Sequence, residues 1–171
     1  GRARVLLAQL ESPVETIESA LELARQHAVT TVLNPAPANA PSTISLLKLA
    51  DVLTPNETEF AALLSRHVGE RIEADDVAAL DGASLHELCR KLSANTVVVT
   101  LGAVGVFVSH APERLRGDST AYYRVAAETV QTVDTTGAGD AFNGALVASL
   151  ATVADVPFAQ ELTLSAATRY S

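Results

Sequence analysis

A glycine-rich run late in the chain combines a candidate anion site with a candidate base. Residues 134–140 have the sequence Asp-Thr-Thr-Gly-Ala-Gly-Asp, and a largely apolar run follows over residues 141–150. Gly137 and Gly139 permit a tight turn, and the apolar run is typical of a helix that begins at that turn. The amides and dipole at a helix N-terminus attract anions, and Asp140 could accept a hydroxyl proton. The run therefore favours phosphoryl transfer, although aspartate and glycine are also ordinary capping and turn residues.

Composition favours an acidic globular protein. The chain has 171 residues, 48% of them hydrophobic, and a formal net charge of −8. This length suffices for one domain with a buried core, and the charge argues against nonspecific nucleic-acid binding, which needs a basic face. The apolar runs are short and interrupted, so we expect no membrane span. The single cysteine, Cys89, fits a reducing, cytoplasmic compartment, and its helix-like surroundings favour a buried thiol.

Strand-like and helix-like segments alternate along the chain. Strands are predicted at residues 3–8, 29–33, 51–53, 96–100, 104–109 and 122–126, and helices at residues 13–28, 42–49, 56–64, 84–92 and from about 137 and 157. This alternation implies an α/β fold with a mostly parallel sheet, helices on both faces, and ligands at the carboxyl ends of the strands. The last two strands are joined by a polar segment suited to a hairpin. The polar residues 66–81 are expected to form a surface excursion within one domain.

Three further motifs follow predicted strands. Glu11, in Gln-Leu-Glu-Ser over residues 9–12, could bind sugar hydroxyls or serve as an exposed acid near a helix N-terminus. Asn56 and Glu59 open the helix after the third strand, where they would also suit a helix cap. Residues 100–105, Thr-Leu-Gly-Ala-Val-Gly, place a Gly-x-x-Gly turn directly after a buried strand, a pattern that a simple β-turn shares. The sequence leaves these alternatives open.

The histidines and the glycine pattern argue against other classes of site. His27, His67, His86 and His110 lie in separate segments without metal-ligand spacing, and we expect each to be solvated at the surface. No Ser-His-Asp order is attached to a nucleophile elbow, which leaves a hydrolase unsupported. No Lys-Ser or Lys-Thr follows Gly139, so the turn is not a Walker lysine loop.

The complete run over residues 134–145 resembles the second signature of the ribokinase-like family of sugar kinases. The resemblance implies a Rossmann-type three-layer α/β sandwich and an ATP-dependent kinase. It also implies that Asp140 deprotonates the sugar hydroxyl. The amides of Gly137, Ala138 and Gly139 would form an anion hole for the transferred phosphoryl group.

The same resemblance gives roles to the motifs near the first three strands. Glu11 matches the family's sugar-contacting glutamate. Residues 34–38, Asn-Pro-Ala-Pro-Ala, are more similar to the ribokinase branch than to the fructokinase or ketodeoxygluconate kinase branches. Asn56 and Glu59 match the family's Asn-x-x-Glu motif, which positions magnesium, its waters and the ATP phosphates; Glu59 would act on magnesium through water.

The resemblance also implies contacts to the nucleotide and to a monovalent cation. Thr100, Gly102 and Gly105 match positions that border the ATP molecule. Asp134 and Thr136 match positions that bind a monovalent cation, usually potassium, beside the anion hole. A cation there would tune the loop electrostatically and take no part in the transfer.

The resemblance extends over residues 1–171 as the ATP-binding and catalytic half of such a kinase. The family's sugar-binding front half, with its lid and Gly-Gly-x-x-x-Asn motif, has no counterpart here, so we expect a truncated domain. Ser165 stands where many relatives have Asn or His near the adenine. The resemblance implies phosphorylation of ribose at its 5-hydroxyl by a longer, homodimeric parent. Alternatives are another sugar or nucleoside kinase of the family, or a noncatalytic nucleotide-binding module.

Overall fold

A six-stranded sheet forms the centre of the molecule. The computed structural model describes residues 3–92, 94–127, 137–152 and 157–158. The strands are β1 (Val5–Gln9), β2 (Thr30–Asn34), β3 (Val52–Leu53), β4 (Thr96–Thr100), β5 (Val106–His110) and β6 (Tyr122–Val125). Their spatial order equals their chain order; β1 to β4 are parallel, and β5 and β6 are antiparallel to their neighbours. The prediction of a mostly parallel sheet is therefore confirmed.

Helices connect the parallel strands, as parallel neighbours require. They are α1 (Val14–Gln26), α2 (Ile44–Leu49), α3 (Glu57–His67), α4 (Ala74–Val77) and α5 (Gly82–Lys91), and a further helix, α6 (Ala138–Thr152), follows β6. Side chains cap several of them: Asp81 Oδ1 accepts hydrogen bonds from the amides of Ala83 and Ser84, both at 3.0 Å. This cap explains why α5 begins two residues before its predicted start.

The sheet is covered on both faces. Successive strand residues point to opposite sides, so Leu33 and Leu53 pack with α1 to α5, whereas Val32 and Val52 pack with α6 and Phe158. The predicted three-layer sandwich is confirmed. The helix predicted from about residue 157 lies, after Phe158, outside the described residues.

The polar segment over residues 66–81 contains an unpredicted helical turn. Its α4 carries exposed acids, but Val77 is fully buried in the core. The apolar residues of this charged stretch, Val68, Ile72, Val77 and Leu80, all pack against the core but are too widely spaced to predict so short a helix. The segment is therefore anchored to the domain.

Cys89 lies in α5 and is fully buried, as predicted. Burial raises the pKa of its thiol to about 12. No helix within the described parts of the chain has the length and apolar character that a bilayer span requires.

His110 corrects the expectation that all four histidines are solvated. Its ring is fully buried, with Nε2 2.9 Å from Asp118 Oδ2 and Nδ1 3.0 Å from Thr96 Oγ1. Tyr123 also donates a hydrogen bond to Asp118 Oδ2. The expectation was wrong because a histidine with both nitrogens paired can be buried at a strand end.

We expect folding stability to fall as the pH drops from about 7.5 to 5.5, in part through His110. Burial is the main cause that lowers its pKa below 6.5, and it outweighs the pairing with Asp118. Below the unfolded pKa, the unfolded chain binds a proton that the folded chain does not, so this stability is lost as the pH falls. Each unit of pKa depression corresponds to about 1.4 kcal/mol.

Urea unfolding of the unmodified chain and of His110→Gln at both pH values measures this contribution. The pH-dependent loss should be smaller in His110→Gln, and exposed His27→Gln is the control that should leave it unchanged. An equal loss in all three proteins would show that His110 does not drive it.

Candidate functional site

The glycine-rich turn places an acid beside the start of α6. Gly137 has φ of 79°, in the left-handed region that favours glycine, and Ala138 begins the helix. The carbonyl of Gly137 accepts the helical hydrogen bond from Ala141 at 2.9 Å. The first amides of a helix have no intrahelical acceptors, so those that follow Gly137 remain available to a ligand. Asp140 is exposed in this first turn, and its carboxylate stands next to backbone amides of the kind that bind anions in other proteins.

Gln9 connects this acid to the sheet. It is the last residue of β1 and lies opposite Asn34, the last residue of β2. Its Nε2 donates to Asn34 Oδ1 at 2.9 Å and to Asp140 Oδ1 at 3.0 Å. One amide nitrogen has two hydrogens, so both bonds can form together. Gln9 therefore fixes the direction of the Asp140 carboxylate.

The hydrogen bonds continue from Asn34 back to α6. Asn34 Nδ2 donates to the carbonyl of Thr54 at 2.8 Å, and Thr54 Oγ1 donates to Asn143 Oδ1 at 2.6 Å. Asn143 is 2% exposed, and its Nδ2 donates to the carbonyl of Gly139 at 2.9 Å. The network joins the carboxyl ends of three strands to the first turns of α6. Because its buried polar groups are paired, it holds the turn in one position.

Asn56 and Glu59 form a capping box at the start of α3. Asn56 Oδ1 accepts from the Glu59 amide at 2.8 Å, and Glu59 Oε2 accepts from the Asn56 amide at 2.9 Å. The capping alternative is thus realised, and it leaves room for a second role because the other Glu59 oxygen has no partner in these bonds. Burial raises the pKa of Glu59, against a smaller opposing effect of the Asn56 amide. A nearby cation would favour the ionised carboxylate.

Two adjoining cavities lie at the carboxyl ends of the strands. The first, which we call the Asp140 cavity, has a volume of about 190 Å³. It is lined by Asn34, Ala36, Thr54, Asn56, Glu59, Thr100, Gly137, Gly139, Asp140 and Asn143. It therefore gathers the candidate base, the glycine turn and the capping box around one space.

The second, the Gly105 cavity, has a volume of about 200 Å³. It is lined by Asn56, Glu57, Thr100, Gly102, Gly105, Val106, Ala127, Ala138, Gly139 and Phe142. Asn56, Thr100 and Gly139 line both cavities. A ligand that filled both would pass these residues where the cavities meet, with one end beside Asp140.

Backbone contacts fix the floor of the Gly105 cavity. The amide of Thr100 donates to the carbonyl of Pro55 at 2.9 Å, which joins β4 to the residues before α3. The amide of Leu101 donates to the carbonyl of Gly105 at 2.8 Å, and Gly102 and Gly105 have φ of 53° and 107°. The Gly-x-x-Gly sequence thus closes a tight turn between β4 and β5.

The structure brings together most of the predicted site residues. Those that line the two cavities are Asn56, Glu59, Thr100, Gly102, Gly105, Gly137, Ala138, Gly139 and Asp140. Glu11 is exposed in the turn after β1, at the same edge, but lines neither cavity, and its sugar contact stays a prediction. Asp134, Thr136 and Ser165 lie outside the described residues.

Sequence reasoning did not assign roles to Gln9, Asn34, Thr54 and Asn143. Gln9 and Asn34 belong to two of the sequence motifs, and each directly follows a predicted strand, which is a usable signal. Thr54 and Asn143 form a pair 89 residues apart, and nothing local to either residue indicates it.

The donors in the Asp140 cavity suit a magnesium ion bound with phosphate. Glu59 and Asp140 provide carboxylates and Asn56 an amide oxygen. Magnesium keeps several waters and takes one or two carboxylates plus phosphate oxygens, so this set fits. No group of three or more His, Cys, Asp or Glu side chains that could bind a metal without such a ligand is found in the part of the chain described.

Comparison with known proteins places the chain in a family. Residues 2–169 match the family described as pfkB family carbohydrate kinase. The chain is 42% identical over 145 residues to the ribokinase of Haemophilus influenzae, a match that covers 85% of this chain and 42% of that protein. It is 39% identical over 148 residues to the ribokinase of Staphylococcus aureus, covering 86% of this chain and 43% of that protein. The chain thus spans less than half the length of these relatives.

The fold agrees with a solved ribokinase. The structure of Arabidopsis thaliana ribokinase complexed with ribose and ATP superimposes with a TM-score of 0.72 and 26% sequence identity. The match covers 97% of this chain and 49% of the Arabidopsis chain. Family match and fold agree over almost the whole sequence, and the chain belongs to the pfkB family of carbohydrate kinases.

Proposed function

We propose that the protein carrying this chain transfers the γ-phosphoryl group of ATP to the 5-hydroxyl of ribose, and that this chain is its ATP-binding and catalytic half. One observation carries the proposal: Asp140, Gly137 and Gly139 line a single cavity that adjoins the glycine-lined Gly105 cavity. The ribose and ATP bound to the Arabidopsis ribokinase support these substrates.

In this reaction Asp140 accepts the proton of the sugar hydroxyl. The oxygen attacks the γ-phosphorus while the bond to the β–γ bridging oxygen breaks, which releases ADP. The amides of Gly137, Ala138 and Gly139 stabilise charge on the transferred group. Gln9 keeps the carboxylate aimed at the hydroxyl through its bond to Asp140 Oδ1. Thr100, Gly102 and Gly105 border the nucleotide.

The proposal includes two cations. Asn56 and Glu59 would hold magnesium through its waters, and the ion would neutralise phosphate charge during transfer. Asp134 and Thr136 would bind a monovalent cation, Ser165 would lie near the adenine, and Glu11 would contact the sugar. We further propose a cytoplasmic enzyme whose complete form is a homodimer.

A kinase assay on the longest natural polypeptide that contains this sequence tests the proposal. ADP release should require ATP, magnesium and ribose, rise with potassium, and give ribose 5-phosphate, identified by phosphorus–proton correlation spectra. Fructose and adenosine as acceptors separate ribokinase activity from other activities of the family. If the enzyme preferred another acceptor, that acceptor would replace ribose as the proposed substrate. Binding of a nonhydrolysable ATP analogue without turnover on any acceptor would favour the noncatalytic alternative.

Replacing Gln9 with leucine should lower kcat about ten- to a hundredfold and leave the KM for ATP nearly unchanged. Leucine has a similar volume but cannot donate, and a hydrogen bond to a charged group contributes about 1.5–3 kcal/mol. Gln26→Leu, at the exposed end of α1, is the matched control. If Gln9→Leu instead lowered kcat only in proportion to a loss of folded protein, Gln9 would have no positioning role.

A further inference from the structure

A third polar cavity lies at the amino ends of the strands, away from the site described above. Its volume is about 300 Å³, and its lining includes Arg25, Thr30, Asp51, Arg114 and Arg116. Thr30 begins β2, whose last residue belongs to the Asp140 cavity. A five-residue strand at about 3.3 Å per residue separates the two ends by about 15 Å. The cavities are therefore distinct.

Positive charge exceeds negative charge around this cavity. Three guanidinium groups face one carboxylate, a net of two positive charges, on a chain whose formal charge is −8. Asp51 Oδ2 is already occupied by the amide and hydroxyl of Thr31, at 2.9 and 3.0 Å. Its Oδ1 lies 3.6 Å from Arg114 Nη1, and the Arg114 side chain is 55% exposed. Asp51 thus neutralises the cluster only in part.

Arg116 forms no ion pair within the described residues. Its Nε is buried and has no hydrogen-bond partner in the described residues. Its guanidinium lies 5.2 Å from the centre of the Phe158 ring, a cation–π contact that orients the planar group and supplies no hydrogen-bond acceptor. A buried donor without an acceptor is unfavourable. An anion in the cavity would compensate the Arg116 charge.

Arg25 is held in place by the end of a neighbouring helix. Its Nη1 donates to the carbonyls of Lys48 and Leu49 at 3.1 and 3.2 Å. These bonds fix the guanidinium against α2 without neutralising its charge. Thr30 adds a hydroxyl to the same lining.

We propose that this cavity binds a phosphate-type oxyanion, either free phosphate or the phosphate group of a small metabolite. Arg114 and Arg116 would be its main ligands, with Arg25 adding charge and Thr30 a hydrogen bond. Arginine suits this ligand because its planar donors match phosphate oxygens in pairs. This proposal does not depend on the kinase reaction, since none of these residues lines the Asp140 or Gly105 cavity.

Amide spectra of the chain titrated with inorganic phosphate test the proposal, with chloride added to keep the ionic strength constant. Saturable shifts are expected at residues 28–30 and 114–117. They should persist when a nonhydrolysable ATP analogue occupies the other edge of the sheet. Glycerol phosphate in a second titration distinguishes an ester from free phosphate. Shifts confined to residues 137–139, or nonsaturating shifts that chloride reproduces, would overturn the proposal.

Arginine variants locate the ligands. Arg114→Gln and Arg116→Gln should each weaken phosphate binding about tenfold or more, whereas Arg71→Gln, an exposed arginine outside the cavity, should not change it. Because Arg114 is largely exposed, its variant is expected to fold even if the Arg116 variant does not. Equal phosphate affinity in Arg114→Gln, Arg71→Gln and the unmodified chain would refute the site.

Discussion

Turnover in an Asp140→Asn variant should fall by about 10² to 10⁴-fold, the usual contribution of a general base. Asparagine has nearly the same shape as aspartate, but its amide cannot take the hydroxyl proton. The asparagine Oδ1 can still accept the hydrogen bond from Gln9, which is 3.0 Å long in the unmodified chain. The variant therefore removes the chemistry and keeps the local structure.

The variant is measured by steady-state kinetics on the longest natural polypeptide that contains this sequence, with calorimetric titration of an ATP analogue. Affinity for the analogue should stay within about twofold, because the Gly105 cavity does not include Asp140. Asp75→Asn, an exposed acid in α4, is the matched control and should keep full activity. Full turnover in Asp140→Asn would rule out Asp140 as the base.

Local sequence predicted the parts of the site that are themselves local. The glycine turn and the candidate base at residues 137–140 occupy four consecutive positions, and the Asn56 and Glu59 pair is one helical turn. Backbone conformation brings such residues together in almost any tertiary context, because residues three or four apart on a helix are neighbours. Here the sequence was sufficient.

The hydrogen bonds that hold Asp140 and the start of α6 in place could not be predicted in the same way. Gln9 and Asp140 are 131 residues apart, and their bond exists only because β1 lies beside α6 across the sheet edge. The same holds for Thr54 and Asn143. Polar residues at strand ends are common, and which of them meet depends on strand order, which alternation of elements leaves open.

Burial at single positions was the other feature that the sequence did not predict. His110 and Val77 illustrate it from opposite sides: a titratable ring is fully buried at the end of β5, and an apolar side chain is buried within a charged segment. Periodicity describes a whole element well, but the burial of single positions depends on partners outside that element, such as Asp118 in the segment after β5.

The glycine turn between β4 and β5 joins the fold to the candidate nucleotide site. Gly105 is buried and lines the Gly105 cavity together with Ala127, which follows β6. A Cβ built on Gly105 would lie 2.6 Å from the amide nitrogen of Ala127, and closer still to the carbonyl oxygen of Val125. Both obstacles are backbone atoms, so no change of rotamer relieves the clash, and β6 would have to move away from β5.

A Gly105→Ala variant should therefore lose about 3 kcal/mol or more of its free energy of unfolding, and bind an ATP analogue at least about tenfold more weakly. The stability loss adds the clash to the left-handed strain of φ 107°, and overpacking alone typically costs about 1–3 kcal/mol. Urea unfolding and calorimetric titration measure the two effects on the chain itself. The loss of affinity has a separate cause, because displaced β6 residues would distort the cavity wall.

Two other glycines separate the clash from the strain. Gly69 has φ of 79°, and a Cβ built there has no atom within 4 Å. The Gly69→Ala variant should therefore lose only about 1–2 kcal/mol of its free energy of unfolding, through backbone strain. Gly144→Ala lies in α6, also with open space, and should gain about 0.5–1 kcal/mol because alanine favours helix. If Gly105→Ala lost no more stability than Gly69→Ala, β6 would be able to move away from the new Cβ without loss of folding free energy. The close packing of β5 against β6 would then not be what shapes the Gly105 cavity.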